Sequence, residues 1–174
     1  AEHVGVLEEL AAGQHRLEPL DDARRPCPRL LHVVHRDHGP LGQDAHPIAE
    51  LVAATNFSFL RGASPGPNLV LTALLLGHAG LGLADRNTVA GVVRANMASK
   101  EAKLAYHPGT RLVFSDGTPD VAAYPRDRAA WGRLCRLLTT GNLRGEKGAA
   151  DLRLEDLLEW GEGLNLAIMA GTGA

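Results

Sequence analysis

Aromatic residues make up only 4% of this chain, and its two cysteines, Cys27 and Cys135, cannot build a disulfide framework or a Cys-x-x-Cys metal knuckle. Charge of one sign is also missing, since 18 Lys and Arg stand against 20 Asp and Glu. Without a basic excess to displace counterions from phosphates, composition alone gives no indication of nucleic acid. The opening residues, AEHVGVLEELAAG, lack the basic stretch and apolar run of a secretory signal. The longest apolar stretch, residues 69–84, is broken by His78 and is shorter than the roughly 20 residues of a membrane span. The expectation is a cytoplasmic protein with no membrane partner. The chain starts without methionine and closes on AGTGA, which has no helix or strand pattern, so both ends read as cut.

What is present divides into two unlike parts. Residues 1–48 carry six of the eight histidines and Pro19, Pro26, Pro28, Pro40 and Pro47. Only residues 4–12 have helical spacing there, with Val4, Leu7, Leu10 and Ala11 on one face. This part reads as an unassigned extension, non-native or poorly ordered. Within it His32, His35 and His38, followed by Asp44 and His46, have donor types that zinc uses. Gly39-Pro40 ends any helix there, and such spacing arises by chance in a His-rich stretch, which weighs against a site.

From residue 49 the pattern is regular. Residues 50–54 read as a strand and 56–62 as the loop leaving it. Pro67 can open a helix, with Leu69, Val70, Ala73, Leu74 and Gly77 keeping helical spacing as far as Gly80. Residues 81–84 form a buried strand ending at Asp85. Asn87 or Thr88 can cap a helix with Val89, Val92, Val93, Asn96 and Met97 on one face. Residues 110–114 are a strand and 116–118 a turn. Asp127 caps a helix with Ala130, Trp131, Leu134, Leu137 and Leu138 inward, and Gly141 reads as its left-handed stop. Cys135 falls on the apolar face of that helix and reads as a buried thiol. Residues 154–160 form a short helix and 164–169 a last strand. Strands alternating with helices predict a parallel α/β sheet or barrel, with chemistry at the carboxyl ends of strands.

The strings NFSFLRGAS at 56–64, ADRNTVAGVVRA at 84–95 and PRDRAAWGRLCRLLTTGNLRGEK at 125–147 carry a resemblance. Residues 49–169 resemble the opening of the error-prone bacterial DNA polymerases of the C family. These begin with a PHP domain, named for polymerase and histidinol phosphatase. The resemblance implies that residues 49–174 are a partial PHP-type distorted (β/α)7 barrel, open and incomplete, with exposed apolar edges, marginal stability and a tendency to aggregate. Phe57, Phe59, Leu60 and Trp131 are expected to be core or near-core anchors.

Active PHP enzymes hydrolyse phosphoesters with a metal cluster. The resemblance places its ligand positions on Val52 and Ala54, with Thr55 following, then on Asp85 and Arg86, and on Arg111. Only Asp85 is of ligand type, and guanidinium groups would compete with a metal for it. The segment is therefore expected to hold no catalytic, cofactor-binding or metal site. Asp85 is expected to be structural, paired with Arg86 or Arg111. The parent enzyme implied is a DNA-directed DNA polymerase of damage tolerance and repair. Its magnesium belongs to a palm domain absent here, and its partners are the remainder of the polymerase and, through it, DNA. The alternative is a stand-alone metal-dependent phosphoesterase. Arg126, Arg128, Arg133, Arg136, Arg144 and Lys147 form the only cationic concentration, read as a solvated helix face rather than a DNA contact.

Overall fold

The computed structural model describes residues 48–169; the histidine cluster, the helix expected at 4–12 and the closing AGTGA lie outside the described residues. The first layer is a parallel sheet in the order β1-β2-β4, made of β1 (Ala49–Ala53), β2 (Gly80–Leu83) and β4 (Ala105–His107). Every residue of β2 is buried, as the middle strand of a covered parallel sheet must be. Helix α1 (Gly66–Leu75) connects β1 to β2, and α2 (Val92–Ala102) leads into β4. Val70, Ala73 and Ala95 from these helices close on Leu81 and Leu83 to form one core.

A second sheet runs β3-β5-β6-β7, from β3 (Asp85–Arg86), β5 (Thr110–Leu112), β6 (Val121–Pro125) and β7 (Leu164–Ile168). β3 and β5 are parallel, whereas β5-β6 and β6-β7 are antiparallel. The α/β architecture holds, but the short β4 and all of β6 escaped the sequence pattern, and the later strands are not parallel. β6 reads VAAYP, and its alanines pack without the bulky alternation that announces a strand. Helices α3 (Arg128–Arg144) and α4 (Leu154–Trp160) cover this sheet, with Leu112, Leu134, Leu137, Leu152 and Leu157 at the centre of a second core.

Helix ends and faces differ from the sequence pattern at several points. α1 stops at Leu75 rather than Gly80, because Gly77 turns left-handed at φ 71°. Neither Asn87 nor Thr88 caps α2; its N-cap is Gly91, and Val92, Ala95 and Ser99 face inward while Val93 and Met97 are exposed. Asn87 instead sits at φ 51° and exchanges two hydrogen bonds with the Val113 backbone, at 2.7 and 3.0 Å. Asp127 does cap α3, accepting the Ala130 N–H at 2.7 Å. Gly141 does not stop it. The helix runs through that glycine to Arg144, and a side chain there would collide with Leu152. Cys135 is half-buried, and the burial it has pushes its thiol pKa up.

Candidate functional site

The carboxyl end of β2 leads straight into Asp85, 1% exposed, at the point where the chain passes from one sheet to the other. Its Oδ1 accepts the Thr55 N–H at 2.7 Å and the Ser58 hydroxyl at 2.6 Å. Its Oδ2 accepts the Thr55 hydroxyl at 2.7 Å. Each hydroxyl is itself used twice. Thr55 Oγ1 accepts the Phe57 N–H at 3.1 Å, and Ser58 Oγ accepts the Arg86 N–H at 3.0 Å. The Asp85 carbonyl accepts the Thr110 hydroxyl at 2.7 Å. Thr55, Ser58 and Thr110 are all buried, so the cluster is a closed polar network with its donors and acceptors matched.

Backbone geometry shapes the remaining wall. A side chain on Gly91 would begin 2.9 Å from both Asp85 Oδ2 and Thr55 Oγ1, so only glycine lets α2 start this close. A side chain on Gly62 would strike the Ala54 and Thr55 carbonyls, which lets residues 56–62 fold back against the strand end.

The positions singled out in the sequence are only partly brought together. Val52 lies in β1 and Ala54 follows it, beside Thr55, but neither offers a donor side chain. The expected ion pair of Asp85 with Arg86 or Arg111 is replaced by the three donors from Thr55 and Ser58. Arg86 gives the cluster its backbone N–H and leaves its side chain exposed, while Arg111 is half-buried against Asp120 at 2.6 Å. Ser58 was missed; the spacing Thr55-x-x-Ser58 after a strand was the available sign.

A PHP-type metal cluster does not fit these residues. Such sites need several converging imidazoles and carboxylates, and among the described residues no three His, Cys, Asp or Glu converge. Asp85 is the one carboxylate, with both oxygens engaged by protein donors. The geometry holds backbone in place.

The cationic residues on and just before α3 are also largely occupied. Arg144 makes a bidentate pair with Asp156 at 2.8 Å on each arm. Arg133 donates to the Glu162 carbonyl at 2.7 Å, and Arg126 to that of Gly163 at 3.4 Å. Arg136 lies over the Trp160 ring, 5.8 Å from its centroid. These groups fasten α3 and the residues before it to α4 and to the turn ahead of β7 rather than forming a purely solvated face.

Phe57, Phe59 and Leu60 are not core anchors: they stand 48%, 84% and 90% exposed. Thr55 and Ser58 turn inward to Asp85, while Phe57 between them and Phe59 and Leu60 after them stand outside that network. Trp131 does pack against the second core.

The fold and cluster together define an α/β domain with a saturated, donor-filled strand-end site. Its relatives are specific. The chain is 60% identical over 130 residues to an error-prone DNA polymerase of Mesorhizobium japonicum, covering 74% of this chain and 12% of that protein. It is 58% identical over 126 residues to error-prone DNA polymerase 1 of Rhizobium meliloti, covering 72% and 11%. Over this segment the chain is a homologue of the error-prone DNA polymerases, and it spans about a tenth of the length of the relatives it matches. No family model matches it. Among solved structures, a protein described as a metal-dependent phosphoesterase of Bifidobacterium adolescentis aligns at 28% identity with a TM-score of 0.47, over 57% of this chain and 36% of that one. An amidohydrolase of Chromobacterium violaceum aligns at 21% identity with a TM-score of 0.46, over 53% and 32%.

Proposed function

We propose that this chain supplies a non-hydrolytic, PHP-type structural domain of an error-prone DNA polymerase that works in the cytoplasm in damage tolerance and repair. The observation that carries the polymerase reading is the 60% identity over 130 residues to such an enzyme. The structural role is supported by Asp85, whose carboxylate is spent on Thr55 and Ser58. Polymerisation, its magnesium and its hold on DNA belong on this reading to the larger protein. The domain's task is to fold and to pack.

A domain transplant tests it. The matched segment of the Mesorhizobium japonicum polymerase is replaced by that of this chain, and primer extension is measured. The expected rate lies within about threefold of the parent's, a small change in transition-state stabilisation. A well-folded chimera that fails to extend primers overturns the proposal. The stand-alone phosphoesterase alternative is tested separately with p-nitrophenyl phosphate and Mn²⁺ or Zn²⁺. Turnover by this chain that Asp85→Asn abolishes would replace the structural reading.

A further inference from the structure

The loop after β1 combines an apolar surface with a tightly held backbone. Phe57, Phe59 and Leu60 project into solvent. The backbone beneath them is tied by Ser58 N–H to the Thr55 carbonyl at 2.9 Å, by Arg61 and Gly62 N–H to the Ser58 carbonyl at 2.9 and 3.1 Å, and by Asn56 N–H to the Ser64 carbonyl at 3.0 Å. Leu60 is held at φ 61°, a left-handed conformation unfavourable for a residue with a branched side chain. Slack chain does not adopt such a state; a surrounding structure that over-determines it does. The three side chains are therefore presented in advance of any partner, which lowers the entropic cost of binding.

The rim gives the partner's chemistry. Arg61 and Arg86 are both exposed beside the patch, and the Arg86 N–H binds Ser58 inside the loop. An apolar centre with an arginine rim is the anatomy of a protein–protein interface. A second copy related by a two-fold axis would set these like charges against each other. Single-stranded nucleic acid is disfavoured because Leu60, the most exposed of the three, has no ring face to stack, and two arginines make a short phosphate track. The relatives carry nearly nine-tenths of their length beyond the matched segment, and a 130-residue match in a chain of 174 necessarily takes in this central loop. We infer that Phe57, Phe59 and Leu60 are a docking anchor that inserts into an apolar, acid-rimmed pocket on the part of the polymerase chain beyond this segment. The inference rests on the reading under Proposed function.

Hydroxyl-radical footprinting of this chain alone and of the polymerase chimera tests it. Phe59 and Leu60 are expected to label readily in the isolated chain and to be protected about tenfold in the chimera, as at the core of an interface. Phe59→Ser with Leu60→Ser in the chimera is expected to restore labelling of Phe57. Equal labelling in chimera and isolated chain overturns the anchor. So does protection that appears only when a single-stranded oligonucleotide is added, or protection of the isolated chain that vanishes on dilution, which would assign the patch to nucleic acid or to a second copy. If the chimera does not fold, the native Mesorhizobium japonicum enzyme is footprinted at the aligned residues, and free labelling there overturns it equally. Parental primer extension with a freely labelled loop sinks the anchor alone; lost extension with a protected loop sinks the function alone.

Discussion

Asp85 shows how a position can keep its residue type and change its task. A carboxylate removed from water needs donors, and here Thr55 and Ser58 supply three within 2.7 Å. Asp85→Ala strands those donors in a buried site and is expected to destabilise the chain by roughly 3 kcal/mol, the cost of several unmet polar groups. Thr55→Val, which keeps the shape and loses one hydroxyl, is expected to cost about 1–2 kcal/mol. Urea denaturation of the three proteins checks both, and equal midpoints for wild type and Asp85→Ala would remove the structural role. At this scale the sequence was legible where one residue decides the matter. Asp85 at a strand end and Asp127 at a helix start could be read directly. Its partners could not, because they lie 27 and 30 residues away and hydroxyls outcompeted the nearer arginines. The exposure of Phe57 and Phe59 was not legible either, since aromatic character suggests burial while the hydrogen-bonded turn beneath them holds them outward.

The element scale turns on the corner between α3 and α4. Gly141 looks like a helix stop by composition, yet it lies inside the last turn of α3, where Leu152 occupies the space its side chain would fill. Two effects oppose each other in Gly141→Ala. Helix propensity favours alanine by about 1 kcal/mol, whereas overpacking a filled core costs about 1–3 kcal/mol. The collision with Leu152 is direct, so net destabilisation is expected, and a higher melting temperature would contradict it. The same corner makes stability depend on acid. The Arg144 guanidinium, with the Arg153 N–H, holds the Asp156 carboxyl below its ordinary value of 3.8. Ser115 and Arg153 lower Asp151, and the Leu154 N–H and Thr118 lower Asp116. A depressed folded-state pKa means that the unfolded chain binds more protons in acid. The stabilisation is therefore complete above the ordinary carboxylate value and is lost as pH falls through the lowered ones. Melting curves by near-ultraviolet circular dichroism between about pH 6 and pH 2 should fall steeply only in the acid part. Arg144→Met should flatten that fall; an unchanged profile would show that the pair contributes nothing to it.

At the scale of the whole molecule, the described residues hold two cores of unequal size. The α1–α2 core buries five hydrophobic residues, three of them alanine or valine, whereas the α3–α4 core buries nine, including six leucines and Phe114. Burial scales with apolar area, so the second core is the stronger. The hydrogen bonds between them include the Asp85 cluster and the Tyr124 hydroxyl on the Leu51 carbonyl, with burial raising the Tyr124 pKa. Both tryptophans, Trp131 and Trp160, pack against the second core. Intrinsic fluorescence therefore reports that core alone, while far-ultraviolet circular dichroism sums the helices of both. In urea the dichroism is expected to fall first, as α1 and α2 melt, with the fluorescence transition following at higher denaturant. Asp85→Ala, which cuts the main tie, should widen the gap by lowering the first transition and sparing the second. Coincident transitions in both proteins would mean that the domain unfolds as one cooperative unit and that the ties outweigh the difference between the cores.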